Sequence, residues 1–212
     1  MQRFADAPAT YAIALLTVVA SAAILLFWNI DIAAVAGGFI PARVPAVDIS
    51  GLDVPVVPVW LTPLTATLLH GGWVHLLFNM VMLVYCGRAA EKAVGSPGIV
   101  ILYLVGAYAA ALGQWAQGPG SATPMIGASG AISAIIATYA LLYGEVRTRA
   151  IGPIPARLLH ALWLAAAWIA ITVLIDYAMA EGTHVAIGAH IGGFLAGLIL
   201  ARPLLLWHYR HA

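Results

Sequence analysis

Charge is what this chain has least of. Only 8% of its 212 residues are Asp, Glu, Lys or Arg, while 63% are hydrophobic. A soluble domain carries about 25% charged residues, and a water-exposed fold of this length could not cover its surface with so few. The scarcity therefore places the chain in the membrane class before any motif is read. The net charge is +1 and no basic run occurs, which argues against a nucleic-acid partner. A single cysteine, Cys86, excludes an internal disulfide framework and any multi-cysteine metal site. It stands in an apolar stretch and reads as a small buried hydrophobe. There is no H-E-x-x-H pattern.

What the chain does have is long apolar runs. A helix needs about 20 mostly apolar residues to cross the hydrocarbon core. Six such segments predict an all-α, polytopic bundle of six transmembrane helices in a single domain over 1–212, with spans near 11–27, 73–89, 99–115, 128–143, 158–175 and 185–206. Gly-Ser-Pro-Gly at 95–98, Gly-Pro-Gly-Ser at 118–121 and Ile-Gly-Pro-Ile-Pro at 151–155 mark connectors. The long connector 29–69 is apolar but broken by Pro41, Pro45, Pro55, Pro58 and Pro63, which forbids a regular spanning helix. It reads as a loop lying partly in the interface, with Trp60 as an anchor. Ala34-Val35-Ala36 resembles a signal-peptide cleavage site, yet the preceding apolar run exceeds the 7–15 residues of a signal core, so the first span is expected to be retained.

Lysines and arginines orient the bundle. With a cytoplasmic N-terminus, Arg3, Arg88, Lys92, Arg147, Arg149, Arg157, Arg202 and Arg210 fall inside, and only Arg43 falls outside. The positive-inside rule favours this arrangement and places the 29–69 loop externally.

Polar side chains inside spans are costly unless they face a partner or a cavity, so they are functional hypotheses. His75 and Asn79 stand four residues apart on one helical face, suited either to holding an oxygen or to bonding a neighbouring helix. Ser129 lies in Gly127-Ala-Ser-Gly-Ala131 where the fourth span begins. A lone serine there is ordinarily a packing residue; the flanking glycines and the helix N-terminus make it a place where negative charge could develop. His190 lies in Gly188-Ala-His-Ile-Gly-Gly193 near the start of the sixth span. It could pair with backbone alone. Gly193 and Gly197, spaced as GxxxG, predict close packing on the small surface around Gly130, Ser133 and Ala134 of the fourth span. Because spans two, four and six run in the same direction, His75, Ser129 and His190 come within about 10 Å of one depth. One shared site is the simpler account. His70 sits at the external edge, where it could support the site or cap the helix, and His184 reads as a loop residue. His160, His208 and His211 read as bland. No Asp, Glu or Cys accompanies the intramembrane histidines, so neither a metal nor another cofactor is expected.

The run Thr67-Leu-Leu-His-Gly-Gly-Trp-Val-His-Leu-Leu-Phe-Asn79, followed by Gly127-Ala-Ser-Gly-Ala131 and Ala189-His-Ile-Gly-Gly193, resembles the rhomboid intramembrane proteases. The resemblance covers about 61–201. It implies that Ser129 is the nucleophile and His190 its general base, a dyad without an aspartate. His75, Asn79 and the Ser129 N–H would stabilise the oxyanion, with Gly127 in the same loop-to-helix turn. It further implies transmembrane protein substrates in the lipid bilayer and a site open to the external side, and the short six-helix plan points to a bacterial inner (plasma) membrane. The fifth helix (163–175) and the following loop (176–183) would gate substrate entry. Rhomboids often carry a Trp-Arg pair in the first external loop; here Trp60-Leu61 stands instead. Arg88, Glu91 and Lys92 resemble the charged cytoplasmic end of the family's second helix and read as structural. Two rivals are weighed against this. A non-cleaving relative that binds membrane helices would typically lack the serine or histidine. A small transporter would continue its polar residues across the bilayer, whereas Met80-Val-Met-Leu-Val84 and Leu198-Ile-Leu200 are apolar.

Overall fold

The structure, a computed structural model, describes residues 6–44, 55–143, 150, 152–178 and 186–210. Helix α1 spans Pro8–Phe27, starting on a proline that has no N–H to satisfy. Its buried positions are Thr10, Ala14, Thr17 and Ser21, one stripe at helical spacing, while Leu15, Leu16 and Val19 point outward. Polar in and apolar out is the reverse of a water-soluble helix and suits a lipid surround. The pattern recurs across the molecule, where Leu77, Leu112, Leu195 and Ile199 are exposed and His70, Asn79, Glu91, Ser133 and His190 are buried.

The proline-broken connector contains no spanning helix among its described residues. Helix α2 (Ile30–Gly37) is capped by the Asn29 side chain, which accepts from the Asp31 and Ile32 N–H groups. A 3₁₀ turn (Pro41–Arg43), the short α3 (Thr62–Thr65) and another 3₁₀ turn (Ala66–Leu68) follow. This loop is fastened at several points. Arg43 Nη2 donates to the Val57 carbonyl at 2.8 Å, and Tyr108 Oη donates to the Trp60 carbonyl at 3.0 Å. The Arg43 contact supplies an arginine tie from elsewhere in a chain that has leucine at 61.

The two segments read as spans two and three form one hydrogen-bonded run, α4 (Trp73–Gln117), 45 residues long with non-helical backbone at Gly95. A straight helix of that length would reach roughly 68 Å, twice the ~30 Å of a hydrocarbon core. Gly95 divides it into arms 73–94 and 96–117. Its φ of 72° lies in the left-handed region, and a Cβ there would sit 2.6 Å from His208 Nδ1. Helix α5 (Ser129–Tyr143), α6 (Ala156–Ala178) and α7 (Ile187–His208) complete the bundle. Among the described residues, three helices (α1, α4 and α7) are long and apolar enough to cross a membrane, and α5 and the Ala156–Ile171 part of α6 are shorter apolar segments.

The second arm of α4, α5 and α7 pack backbone to backbone. Gly193 and Gly197 of α7 lie against the Gly130 and Ala134 carbonyls of α5. Gly188 and Gly192 lie against Gly113 and Ala109 of α4. The first of these contacts matches the expected GxxxG seam. The second is a further seam on the adjoining face, so α7 is wedged between two neighbours.

Glu91 is buried and apart from the cations on either side of it in sequence. Its carboxylate accepts from the Ala9 and Thr10 N–H groups, from Thr10 Oγ1 and from Ser96 Oγ, at 2.6–2.9 Å. The free N–H groups at the start of α1 thus find their acceptor on α4. Glu91→Gln would turn one acceptor oxygen into a donor facing donors. The loss of two charge-assisted bonds should cost on the order of 3 kcal/mol. Thermal unfolding of purified protein measures it; an unshifted midpoint would contradict the clamp.

Candidate active site

The loop before α5 determines where Ser129 goes. Phe39 and Met125 pair as an isolated antiparallel bridge, and the Gly127 N–H donates to the Ala66 carbonyl at 2.9 Å. Gly127 takes φ 111°, a conformation that disfavours a side chain, and this turns the chain into the helix. The Ala128 carbonyl accepts the first helical bond, from Ile132. The Ser129 N–H therefore belongs to the first turn and has no acceptor four residues back in the helix.

Against this turn α7 places His190. Its Nε2 lies 2.8 Å from Ser129 Oγ, and its ring is 3% exposed. Its Nδ1 is buried and has no hydrogen-bond partner among the described residues. Among the described residues the pair stands without a third, orienting carboxylate. The ring is held by packing: Trp168 of α6 meets it edge-on with centroids 6.0 Å apart, and Trp168 stacks on Phe78 at 5.5 Å. Trp168 Nε1 donates to Ser133 Oγ at 2.9 Å, and Ser133 Oγ donates to the Ser129 carbonyl at 2.8 Å. Trp168 sits in an apolar run, and nothing in the sequence marked it.

His75 lies over the same turn. A Cβ on Gly127 would come within 2.8 Å of His75 Nε2, so only a glycine there leaves room for the ring. The Gly71 N–H points to His75 Nδ1 at 3.4 Å. If Nδ1 accepts, Nε2 carries the proton and presents it to the Gly127 turn that leads into Ser129. Asn79 is buried, and its Nδ2 donates to the His75 carbonyl at 3.0 Å. It braces the His75 turn and touches Ser129 through none of its hydrogen bonds. His184 and residues 179–183 of the expected gating loop lie outside the described residues.

His70 is fully buried and joins three parts of the chain. Its Nε2 faces the Ala128 N–H at 3.4 Å, and its Nδ1 lies 2.8 Å from Ser21 Oγ. Ser21 Oγ in turn donates to the Leu68 carbonyl at 2.8 Å. One tautomer satisfies every bond: Nε2 accepts from Ala128 and Nδ1–H donates to Ser21. Burial, with His75 adding like-charge repulsion, pushes the His70 pKa down to about 3, so the ring stays neutral. No group of three or more His, Cys, Asp or Glu able to hold a metal occurs among the described residues.

The rhomboid domain family matches residues 58–207, which include His75, Asn79, Ser129 and His190. The chain belongs to the rhomboid family. This rhomboid is 31% identical over 150 residues to the Rhomboid protease GlpG of Photorhabdus laumondii subsp. laumondii, covering 69% of this chain and 47% of that protein. It is 32% identical over 136 residues to the Rhomboid protease GlpG of Pectobacterium atrosepticum, covering 63% and 45%. The Rhomboid protease GlpG of Enterobacter sp. (strain 638) is 32% identical over 140 residues, covering 65% and 46%. The rhomboid chain spans a little under half the length of these curated relatives. Family membership and the apolar helices make it an integral membrane protein.

Proposed function

We propose that this rhomboid is an intramembrane serine endopeptidase that hydrolyses peptide bonds in or next to the transmembrane helices of membrane proteins. The observation that carries the proposal is the 2.8 Å approach of His190 Nε2 to Ser129 Oγ at the N-terminus of α5. A serine hydroxyl is a weak nucleophile until an adjacent base takes its proton. His190, neutral with its proton on Nδ1, offers its Nε2 lone pair to Ser129 Oγ–H. Ser129 attacks the scissile carbonyl as His190 takes that proton, and the tetrahedral oxyanion develops beside the Ser129 N–H. His75 Nε2–H and the second amide hydrogen of Asn79 complete the stabilising set, each such donor worth about 2.7–4 kcal/mol. His190 then returns the proton to the leaving amine, and water hydrolyses the acyl-enzyme. The chain's own residues supply every group in this sequence, and no metal or other cofactor enters it.

The reading includes one six-span domain, the two arms of α4 each crossing once, with a cytoplasmic N-terminus in a bacterial inner membrane. His75, Ser129 and His190 then sit near the external leaflet, where water can reach the acyl-enzyme. Incubation with a single-span substrate in proteoliposomes tests the activity. Discrete fragments cut in or beside the span support it. Binding of the substrate without cleavage supports a non-cleaving helix binder.

His70 acts here as a positioning residue, because it holds the Ala128 N–H one residue before the nucleophile. His70→Ala should lower kcat per folded molecule about tenfold with KM little changed, and Ser21→Ala should shift it the same way by less. An effect confined to thermal stability would make His70 purely structural.

A further inference from the structure

Toward the end of its first arm remote from Ser129, α4 borders a groove of about 760 Å³ that the cleavage chemistry does not use. Met80, Val81 and Val84 line its apolar part. Tyr85 and Tyr143 wall it, Tyr139 linking them through an edge contact with Tyr85 and a stack with Tyr143. At the other end stand Arg88 and Lys92. From Trp73 to Lys92 the helix rises about 28 Å, close to the ~30 Å thickness of a hydrocarbon core. The two cations therefore sit at the membrane boundary opposite the dyad, whichever way the bundle is oriented.

These cations have no counter-charge among the described residues. Glu91 lies between them in sequence, but its carboxylate is taken by the start of α1 and Ser96. Among the described residues, neither Arg88 nor Lys92 forms an ion pair and no acidic side chain lines the groove. Arg88 lies over the Tyr11 ring at 5.9 Å, and its Nε is buried without a hydrogen-bond partner. A buried guanidinium N–H left unpaired is costly, so turning the Arg88 head out to an anion in the groove would relieve it.

We propose that this groove binds one anionic glycerophospholipid, its phosphate held between Arg88 and Lys92 and an acyl chain laid along Met80, Val81 and Val84. Basic pockets beside membrane helices bind anionic headgroups in this way. A free phosphate would leave the apolar part of the groove unused. A transmembrane peptide would fill that part without needing two unpaired cations.

Native mass spectrometry of delipidated protein, with thermal unfolding in parallel, tests this without reference to cleavage. The probes are phosphatidylglycerol, phosphatidylcholine and inorganic phosphate. One phosphatidylglycerol per chain should be retained, with a raised unfolding midpoint, and the other two probes should do neither. Arg88→Gln with Lys92→Gln should weaken retention about tenfold or more. Lys92→Gln alone, at an exposed position, should give a smaller loss and stays informative if the double variant folds poorly. Val84→Trp should expel the lipid with both charges intact. Equal retention of phosphatidylcholine would overturn the proposal, as would unchanged affinity in both charge variants. An equal midpoint shift with inorganic phosphate would reduce the site to an anion contact and overturn the acyl assignment.

Discussion

Ser129→Ala is expected to remove cleavage of a transmembrane substrate by at least about 10⁴-fold while the protein still purifies as a folded species. The two halves of this expectation come from different parts of the site. Chemically, the hydroxyl is the only group on α5 within reach of His190 Nε2, so its loss leaves the base with nothing to deprotonate. Structurally, the serine's backbone does the holding: Ser133 Oγ bonds its carbonyl, and Gly127 and Ala128 tie the preceding turn to Ala66 and His70. None of these needs the Ser129 hydroxyl, so the stability cost should stay near 1 kcal/mol. Labelling with a fluorophosphonate probe in detergent reads the first half directly, because it requires an activated serine and no substrate. Wild type should label; Ser129→Ala and His190→Ala should not. The double variant should be no worse than either single, since the two act as one unit. Labelling of Ser129→Ala would move the nucleophile elsewhere. Folded wild type that does not label would favour helix binding without cleavage.

The sequence made some of this architecture legible and hid the rest, for physical reasons. Intramembrane polar residues stand out because lipid offers them no partner, which is why His75, Asn79, Ser129 and His190 could be singled out in a chain with so few charges. The Gly193 and Gly197 seam was legible because close backbone approach needs small residues at fixed spacing. The Gly188 and Gly192 seam has the same four-residue spacing, as do its partners Ala109 and Gly113; in a chain so rich in glycine and alanine that spacing did not single them out. Glu91 read as part of a charged helix end with Arg88 and Lys92. Apart from Ser96, its partners lie some 80 residues earlier, at Ala9 and Thr10, and no local pattern announces such a pairing. Ser21 and Trp168 were invisible for a related reason. A serine or tryptophan in an apolar run is ordinary, and only the fold brings them to His70 and His190. The Gly95 break was legible as a connector; that the helix resumes immediately, with His208 packed against the glycine, was not.

Gly197→Leu should be among the most destabilising single changes outside the site. In lipid, helices gain little from burying apolar surface against one another, since the alternative is equally apolar, so association rests on close packing. At this position the packing is backbone on backbone. A Cβ on Gly197 would fall on the Ala134 carbonyl of α5, and neither that carbonyl nor its helix can swing aside like a flexible side chain. Thr138 Oγ1, which reaches the Gly197 carbonyl at 3.4 Å, would lose that contact as the helices part. Overpacking commonly costs about 1–3 kcal/mol. An obstruction met by backbone belongs at the upper end, so the unfolding midpoint should fall by roughly 10 °C. Gly197→Ala should fall between leucine and wild type. Ile199→Ala is the control: that side chain is 71% exposed on the outer face of the same helix and should be nearly silent. Activity should follow stability here, because His190 reaches Ser129 only while α7 rests on α5. A variant with an unchanged midpoint but no activity would separate the two, and would mean that the seam positions the histidine without holding the bundle together.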